Sequence, residues 1–325
     1  MNAETLPGTH SAPAAEPRRT FTRQAVWLLA FTLAVVLFGA VVRITGSGAG
    51  CGRHWPTCQG EIVHLPKRVE TLIELSHRVS TGLNALLVFA LTFRAFRLFE
   101  KGHSARSALK FASAMMVVES LIGAGLVLLS LVGTDASLRR AIVMPLHLIA
   151  TSGLCAALGL AVFHSLPAQS ATVTTHPARA SVLRAALAVL VVSATGAVTA
   201  LGDTLYPAQA APLAERLLHD QSQAAHFLER LRLVHPLLAV GGTILVLSAA
   251  SNVLGESTSA LGRTLARWSI GVCLAQVGLG VVNVLLSAPG WMQVVHLFVA
   301  NLVWLCLVLL AAELAKPRAS ARAWA

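Results

Sequence analysis

Long apolar runs separated by short polar segments dominate this sequence. An α-helix needs about 20 mostly apolar residues to cross a bilayer, and runs of about that length are predicted to form spans at 24–43, 74–96, 108–130, 141–163, 182–201, 232–250, 266–287 and 291–314. The pattern predicts an all-α integral membrane protein with eight transmembrane helices. The first run is expected to be a span rather than a cleaved signal peptide. Its apolar stretch exceeds the roughly 7–15 residues of a signal core, and no small-residue cleavage site follows before Arg43.

The last four spans repeat features of the first four in the same order. The matching features are Gly39 to Thr45 with Gly196 to Gly202, His77 with His235, Glu119 and Gly123 with Gln276 and Gly280, and His147 with His296. A repeat of four spans leaves both copies in one orientation, related by an axis along the membrane normal. The expected architecture is two tandem four-helix bundles with pseudo-twofold symmetry along that normal.

The predicted bundles are 24–164, which includes a long loop at 44–73, and 182–314. A polar linker over 165–181 joins them, and 1–23 and 315–325 are predicted to be tails. Residues 1–23 are rich in Ala, Pro, Thr and Glu and have little apolar surface to bury, so this tail is expected to be disordered.

Composition and charge agree with a membrane protein and argue against a nucleic-acid partner. The chain has 55% hydrophobic residues and 12% charged residues, and its mean hydropathy is +0.70, whereas a soluble domain has about 25% charged residues. The net charge of +11 comes from Lys and Arg in short loops and tails rather than along one face. More of these residues fall on the cytoplasmic side if the N-terminus is inside. We therefore expect a multi-pass protein of the cell (cytoplasmic) membrane, in contact with lipid, with both termini in the cytoplasm.

The cysteines support this orientation. Cys51 and Cys58 lie in the first predicted outer loop with six residues between them, where oxidation is permitted and a short disulfide is feasible. Zinc binding by this pair is disfavoured, because the spacing is wrong for zinc and there is no second pair. Cys155, Cys273 and Cys306 stand alone in apolar spans and are interpreted as small core residues.

Four histidines are the main candidate ligands. All four fall within about two turns of the outer end of an even-numbered span: His77, His147, His235 and His296. Imidazole is a common axial ligand of haem iron, and bundle cores build cofactor sites from facing helices. Pairing within each bundle predicts two bis-histidine haem pockets near the outer surface. The alternatives are hydrogen-bonded interface histidines, or zinc, which no cysteine or carboxylate completes in the second half. The other histidines are treated as solvated, with His54 open because it lies inside the cysteine loop.

The residue three positions before the first histidine differs between the halves. It is Glu74 in the first half and Arg232 in the second. A carboxylate beside a haem can transfer protons or stabilise a developing cation, but Glu74 can equally be an interfacial carboxylate paired with Arg78 or Arg43. Both arginines are placed to meet haem propionates at the rim.

Glu119 is a second carboxylate at membrane depth. Because its counterpart in the repeat is Gln276, a neutral or hydrogen-bonded structural role is favoured for it.

Several of these residues together resemble the signature of the haem A synthase family. The shared features are Arg43-Ile44-Thr45-Gly46-Ser47-Gly48, then Cys51, Trp55-Pro56 and Cys58, then Glu74-Leu75-Ser76-His77-Arg78, and finally His147, His235-Pro236 and His296. The resemblance covers about residues 24–314 and implies an oxidoreductase that converts the C8 methyl group of haem O to a formyl group. It also implies that Cys51 and Cys58 form the family's outer-loop disulfide.

The resemblance implies a division of labour between the two halves. His235 and His296 would hold a haem b cofactor, while His77 and His147 would face haem O and Glu74 would match the essential glutamate. Two successive hydroxylations and loss of water would give the aldehyde, with Glu74 stabilising a carbocation-like intermediate or managing protons. The stretch between the cysteines, Gly52-Arg53-His54-Trp55-Pro56-Thr57, departs from the expected Pro-Asp-Trp-Pro pattern, and the loop at 202–231 lacks a second cysteine pair.

Two other functions compete with this interpretation. A dihaem electron-transfer protein of the cytochrome b type would explain the histidines and the repeat, but not the contrast between Glu74 and Arg232 or the cysteine loop. A haem-binding transporter or chaperone would need binding alone. The sequence leaves open the electron acceptor, the oxygen source, a homo-oligomeric state, and the enzyme that supplies haem O.

Overall fold

The computed structural model describes residues 15–62, 65–166, 176–207, 212–256 and 259–315. In this part of the chain the protein is helical, and no extended strand is present. The helices are α1 Ala15–Ile44, α2 Val69–Leu98, α3 Ser104–Leu128, α4 Leu138–Ser165, α5 His176–Leu205, α6 Leu213–Gln221, α7 Phe227–Arg230, α8 Val234–Gly255, α9 Ala260–Leu285 and α10 Gly290–Glu313. Eight of the described helical segments are long and apolar enough to cross a membrane. The predicted all-α membrane fold is confirmed.

Helices α1 and α5 begin earlier than the apolar runs from which they were predicted. The tail at 1–23 is helical from Ala15 onward, and residues 1–14 lie outside the described part. Packing explains the extension, since the ring of Phe21 is fully buried and lies 5.0 Å from that of Phe99. The linker predicted at 165–181 already belongs to α5 from His176, while 167–175 are not described. Beyond Ala315, the predicted tail also lies outside the described residues.

The membrane helices pack in two groups of four. α1 contacts α2 and α4, and α3 contacts the same two helices; α5 contacts α8 and α10, and α9 contacts the same two. Each group buries its own core, one around Leu109 and Leu158 and the other around Val246 and Leu307. Many core residues are alanines, which let helix backbones approach closely. The pseudo-twofold relation of the groups stays a prediction.

The groups meet through α1, α4, α5 and α10. Trp304 donates its Nε1–H across this interface to the carbonyl of Ser152 at 2.8 Å. At the end of α1, Gly290 lies so close to Ile44 that an added Cβ would be 2.4 Å from a methyl carbon. The two groups are therefore in tight contact.

Cys51 and Cys58 form a disulfide in the loop between α1 and α2, as predicted. We call the end of the helices that carries this loop the disulfide end. Gly50 presses against α2 there, and an added Cβ would lie 2.6 Å from the carbonyl of Glu70. The loop is thus packed directly against the start of α2.

Candidate functional site

The four candidate ligands lie toward the disulfide end of α2, α4, α8 and α10, and each ring faces a glycine of the preceding membrane helix. A Cβ added at the glycine would lie close to the imidazole Cε1 in every case: 3.2 Å for Gly39 and His77, 3.9 Å for Gly123 and His147, 3.0 Å for Gly196 and His235, and 3.3 Å for Gly280 and His296. The sequence identified these glycines as part of the repeat but did not assign them a role. In the structure, three of the four leave a space beside a ring that a larger residue would crowd.

The second-half pair has the spacing that two ligands of one metal ion require. The ring centres of His235 and His296 are 6.4 Å apart, and the ring planes are nearly perpendicular at 85°. A metal–imidazole bond is about 2 Å and a ring centre lies about 1.1 Å from its nitrogen, so two imidazoles bound on opposite sides of one ion would place their ring centres about 6.2 Å apart. Nδ1 of His235 lies 3.1 Å from the carbonyl oxygen of Val192. Such a contact commonly orients a metal-bound histidine and leaves its Nε2 for the metal.

The first-half pair is held by different groups. Nδ1 of His147 lies 3.3 Å from Oε2 of Glu119, and the hydroxyl of Thr151 donates to the other oxygen of the same carboxylate. The ring of His77 packs edge-on against Phe38 with centres 5.6 Å apart. A carboxylate beside a histidine fixes its orientation and raises its basicity as a ligand. Sequence reasoning favoured a structural role for Glu119, but the structure places it beside a candidate ligand.

Gln276, the counterpart of Glu119, also contacts a candidate ligand. Its amide nitrogen lies 3.0 Å from Nε2 of His296. The two halves therefore differ in chemistry at equivalent places, with a carboxylate against His147 and an amide against His296.

The pair of His235 and His296 fits haem iron better than a small metal cluster. Among the residues described, no group of three or more His, Cys, Asp or Glu side chains could hold a metal ion. Zinc usually takes four protein ligands in a structural site, whereas six-coordinate haem iron needs one imidazole on each side of the porphyrin. Nδ1 of His77 and Nδ1 of His296 are buried without hydrogen-bond partners.

Glu74 joins α2 to the disulfide loop. Its side chain is buried, and Oε2 accepts a hydrogen bond of 2.7 Å from the backbone N–H of Cys51. Oε1 accepts two hydrogen bonds from the guanidinium of Arg78, one of them 3.1 Å from Nε. The pairing with Arg78 that the sequence left open is therefore present. Because Glu74 and His77 are three residues apart on one helix, the carboxylate stays on the same side of α2 as the candidate ligand.

The guanidinium of Arg78 hydrogen-bonds to the disulfide loop. Besides its contacts with Glu74, its Nη1 donates to the carbonyl oxygens of His54 at 2.5 Å and Thr57 at 2.7 Å. Arg78 therefore has no free pair of N–H donors for the predicted contact with a haem propionate. His54 takes part through its carbonyl, and its ring lies near Gly60 in the same loop. A cavity of about 400 Å³ lies between the loop and the start of α2, and none of the four candidate ligands lines it.

Arg232 connects the polar segment before α8 to neighbouring elements of the second half, as Glu74 and Arg78 connect α2 to the disulfide loop in the first half. Its guanidinium pairs with Asp203 at 2.8 Å and with Asp220 at 3.3 Å, and it donates to the carbonyl of Gly202 at 3.0 Å. These contacts tie the end of α5 and the short α6 to the start of α8. An ion-pair network thus stands where the first half has a disulfide.

Arg43 reaches out of its own group of helices. Its Nη1 donates to the carbonyl of Ala200 at 2.5 Å and to the hydroxyl of Thr204, and its Nη2 donates to Oε1 of Gln293 at 2.9 Å. All three acceptors lie on α5 or α10. The sequence placed Arg43 in the substrate half, but the structure brings its guanidinium to the second half.

Comparison with known proteins gives a family match over most of the chain and several partial relatives. The family model described as "Cytochrome oxidase assembly protein" matches residues 22–308. A protein of Thermus thermophilus named protoheme IX farnesyltransferase is 44% identical over 285 residues, which are 87% of this chain and 46% of that protein. The chain thus spans about half the length of this relative.

Shorter stretches match proteins named heme A synthase. One from Alkalihalophilus pseudofirmus is 41% identical over 96 residues, 29% of this chain and 32% of that protein. One from Bacillus mycoides is 37% identical over 105 residues, 31% of this chain and 34% of that protein.

Proposed function

The chain belongs to the cytochrome oxidase assembly protein family, and from this membership and the site geometry we propose that it is a haem A synthase. It would oxidise the C8 methyl group of haem O to a formyl group by successive hydroxylations. One observation carries the proposal: the carboxylate of Glu119 lies 3.3 Å from the ring of His147 in the first half, whereas the corresponding contact to His296 in the second half comes from the amide of Gln276. A binding protein or electron carrier has no need of that difference.

The second half would hold the resident cofactor. The ring centres of His235 and His296 lie 6.4 Å apart, and Val192 contacts Nδ1 of His235, so Nε2 of that ring would be left for the metal. The amide of Gln276 lies at Nε2 of His296 and would give way when a metal binds there. Haem b, when bound there, would supply electron transfer away from the substrate. Conversion of a methyl to a formyl group removes electrons and adds an oxygen atom, so it also requires an external electron acceptor and an oxygen source, either water or dioxygen.

The first half would receive haem O between His77 and His147. Glu119 orients His147, and Glu74 contributes a buried carboxylate held between the N–H of Cys51 and the guanidinium of Arg78. Glu74 lies on the same side of α2 as His77, where its carboxylate would stabilise developing positive charge or accept a proton.

Protohaem farnesylation, which the Thermus relative's name describes, is not proposed for this chain. Farnesyl transfer from a diphosphate relies on Mg²⁺, which is bound through carboxylates together with the substrate phosphates. The sequence has three aspartates, Asp135, Asp203 and Asp220. Asp203 and Asp220 are both paired with Arg232. An enzyme that makes haem O would instead be a partner that supplies the substrate.

We also propose that the protein lies in the cytoplasmic membrane with both termini in the cytoplasm. The excess of Lys and Arg in the segments on that side supports this orientation, as does the disulfide at the opposite end.

Expression in a host that makes haem O but lacks haem A tests the reaction. Extracted pigments are separated by chromatography and compared with an empty-vector control. We expect haem A to appear only with the protein. Haem b alone at two per chain, with haem O left unconverted, would favour the dihaem electron-transfer protein instead.

A further inference from the structure

We propose that Arg43, although it belongs to the first group of helices, binds a carboxylate of the ligand held by His235 and His296. The inference rests on the proposed function only in taking a haem, which carries two propionates, as that ligand. It assigns Arg43 to the cofactor pocket instead of the substrate pocket.

The position of the guanidinium supports this assignment. Its acceptors Ala200 and Gln293 lie on the helices that contribute to the second pocket. Ala200 is four residues after Gly196, which contacts His235, and Gln293 is three residues before His296. Residues three or four apart share a helix face about one turn apart. The guanidinium therefore lies about one turn from the second histidine pair, toward the disulfide end.

Arg43 makes no direct ion pair within the described part of the chain, although Asp203 is close enough to interact with its charge. Its three acceptors are a carbonyl, a hydroxyl and an amide oxygen, all neutral. Asp203, the residue before Thr204, is held by Arg232 at 2.8 Å, and no described carboxylate lies within ion-pair distance of Arg43. A buried cation whose hydrogen-bond acceptors are all neutral is further stabilised when a ligand brings an anion to it.

The ligand that fits these observations is a metalloporphyrin with carboxylate side chains. The histidine pair accounts for the metal, and the guanidinium accounts for a carboxylate at the edge of the ring, a group that arginine can bind through two parallel hydrogen bonds. Arg78 does not offer an equivalent site in the first half, because Glu74 and two loop carbonyls use its donors.

Binding of protohaem and of its dimethyl ester tests the proposal, since the ester keeps the iron and the ring but lacks the carboxylates. The full chain carries His77→Ala and His147→Ala, so that only the second pair can bind, and is produced in a haem-deficient host. Each porphyrin is titrated in detergent and followed by its absorbance. We expect the free acid to bind about 10- to 100-fold more tightly than the ester, as a charge-assisted hydrogen bond implies.

Variants at two positions then separate anchoring from helix packing. Arg43→Gln should abolish the preference for the free acid, while Arg43→Lys should retain part of it. Gln293→Glu places a carboxylate beside Arg43 and should also abolish the preference, although it keeps the guanidinium and the contact between helices. Arg78→Gln is the matched control and should leave the preference intact. Partition of the ester into detergent affects all variants equally. The quantity compared between variants is therefore the ratio of the affinity for the free acid to the affinity for the ester.

The outcomes that oppose the proposal are distinct. An unchanged ratio in Arg43→Gln would show that the guanidinium only joins the helices. A loss of preference confined to the reciprocal background, His235→Ala with His296→Ala, would assign Arg43 to the substrate pocket. Failure of both backgrounds to bind either porphyrin would overturn the proposed function itself.

Discussion

Gly196 offers the least room beside any of the four candidate ligands. A Cβ added there would lie 3.0 Å from Cε1 of His235, about 0.5 Å inside the best carbon–carbon contact distance. The ring cannot move away freely, because its Nδ1 contacts the carbonyl of Val192 on the same helix as Gly196. Overpacking of this kind costs about 1–3 kcal/mol. We therefore expect Gly196→Ala to weaken haem binding by the second pair roughly 5- to 150-fold.

The other His–Gly contacts provide a graded series. Gly280→Ala, with its Cβ 3.3 Å from His296, should have a smaller effect, and Gly123→Ala, at 3.9 Å from His147, should have almost none on the pair that it contacts. Alanine also favours a helix by about 1 kcal/mol over glycine. Gly241→Ala in α8 measures this contribution separately, because an added Cβ there meets no atom within 4 Å.

Haem titration of the purified variants, followed by absorbance, gives the affinities, and thermal unfolding followed by helical circular dichroism gives the change in stability. The expected order of lost affinity is Gly196→Ala, then Gly280→Ala, then Gly123→Ala. Equal losses at Gly196 and Gly123, or no loss at Gly196, would refute the idea that these glycines make room for ligand rings.

Two further predictions concern the carboxylates of the first half. Glu74→Gln keeps the shape of the side chain, so the protein should fold and load haem, but conversion of haem O should stall because the negative charge is lost; haem A at the normal rate in pigment extracts would remove the catalytic role. Glu119→Gln should raise the midpoint potential of a haem bound by His147, since a carboxylate that makes the histidine more basic favours the oxidised iron. Gln276→Glu, the matched control, should lower the potential of the second haem in the same spectroelectrochemical titration, and shifts of the same sign in both variants would contradict this reasoning.

The helices and the placement of the histidines could be predicted from local sequence features. Eight apolar runs of sufficient length predict eight spans because a lipid environment requires each to satisfy its own backbone hydrogen bonds. The alternating direction of successive spans then places His77, His147, His235 and His296 at one end of the bundles. The early start of α1 escaped prediction, since it depends on the distant contact between Phe21 and Phe99.

The partners of the polar side chains were decided by tertiary structure. Glu74 was expected near a pairing arginine, and the pairing is with Arg78, four residues along the same helix and so within local reach. Arg43, by contrast, bonds to Thr204 and Gln293, which are 161 and 250 residues away in sequence. No local pattern predicts which distant helix lies opposite the end of α1.

The sequence by itself determined that this chain forms membrane helices and that four imidazoles lie toward one end of them, because hydrophobic length and helix direction are properties of each segment alone. Only the tertiary structure decided that His235 and His296 face each other at 6.4 Å, that Glu119 contacts His147, and that Arg43 reaches the second half. Those contacts depend on how each helix is rotated about its axis and how closely its small residues let a neighbour approach, and both are set by packing among all eight helices at once.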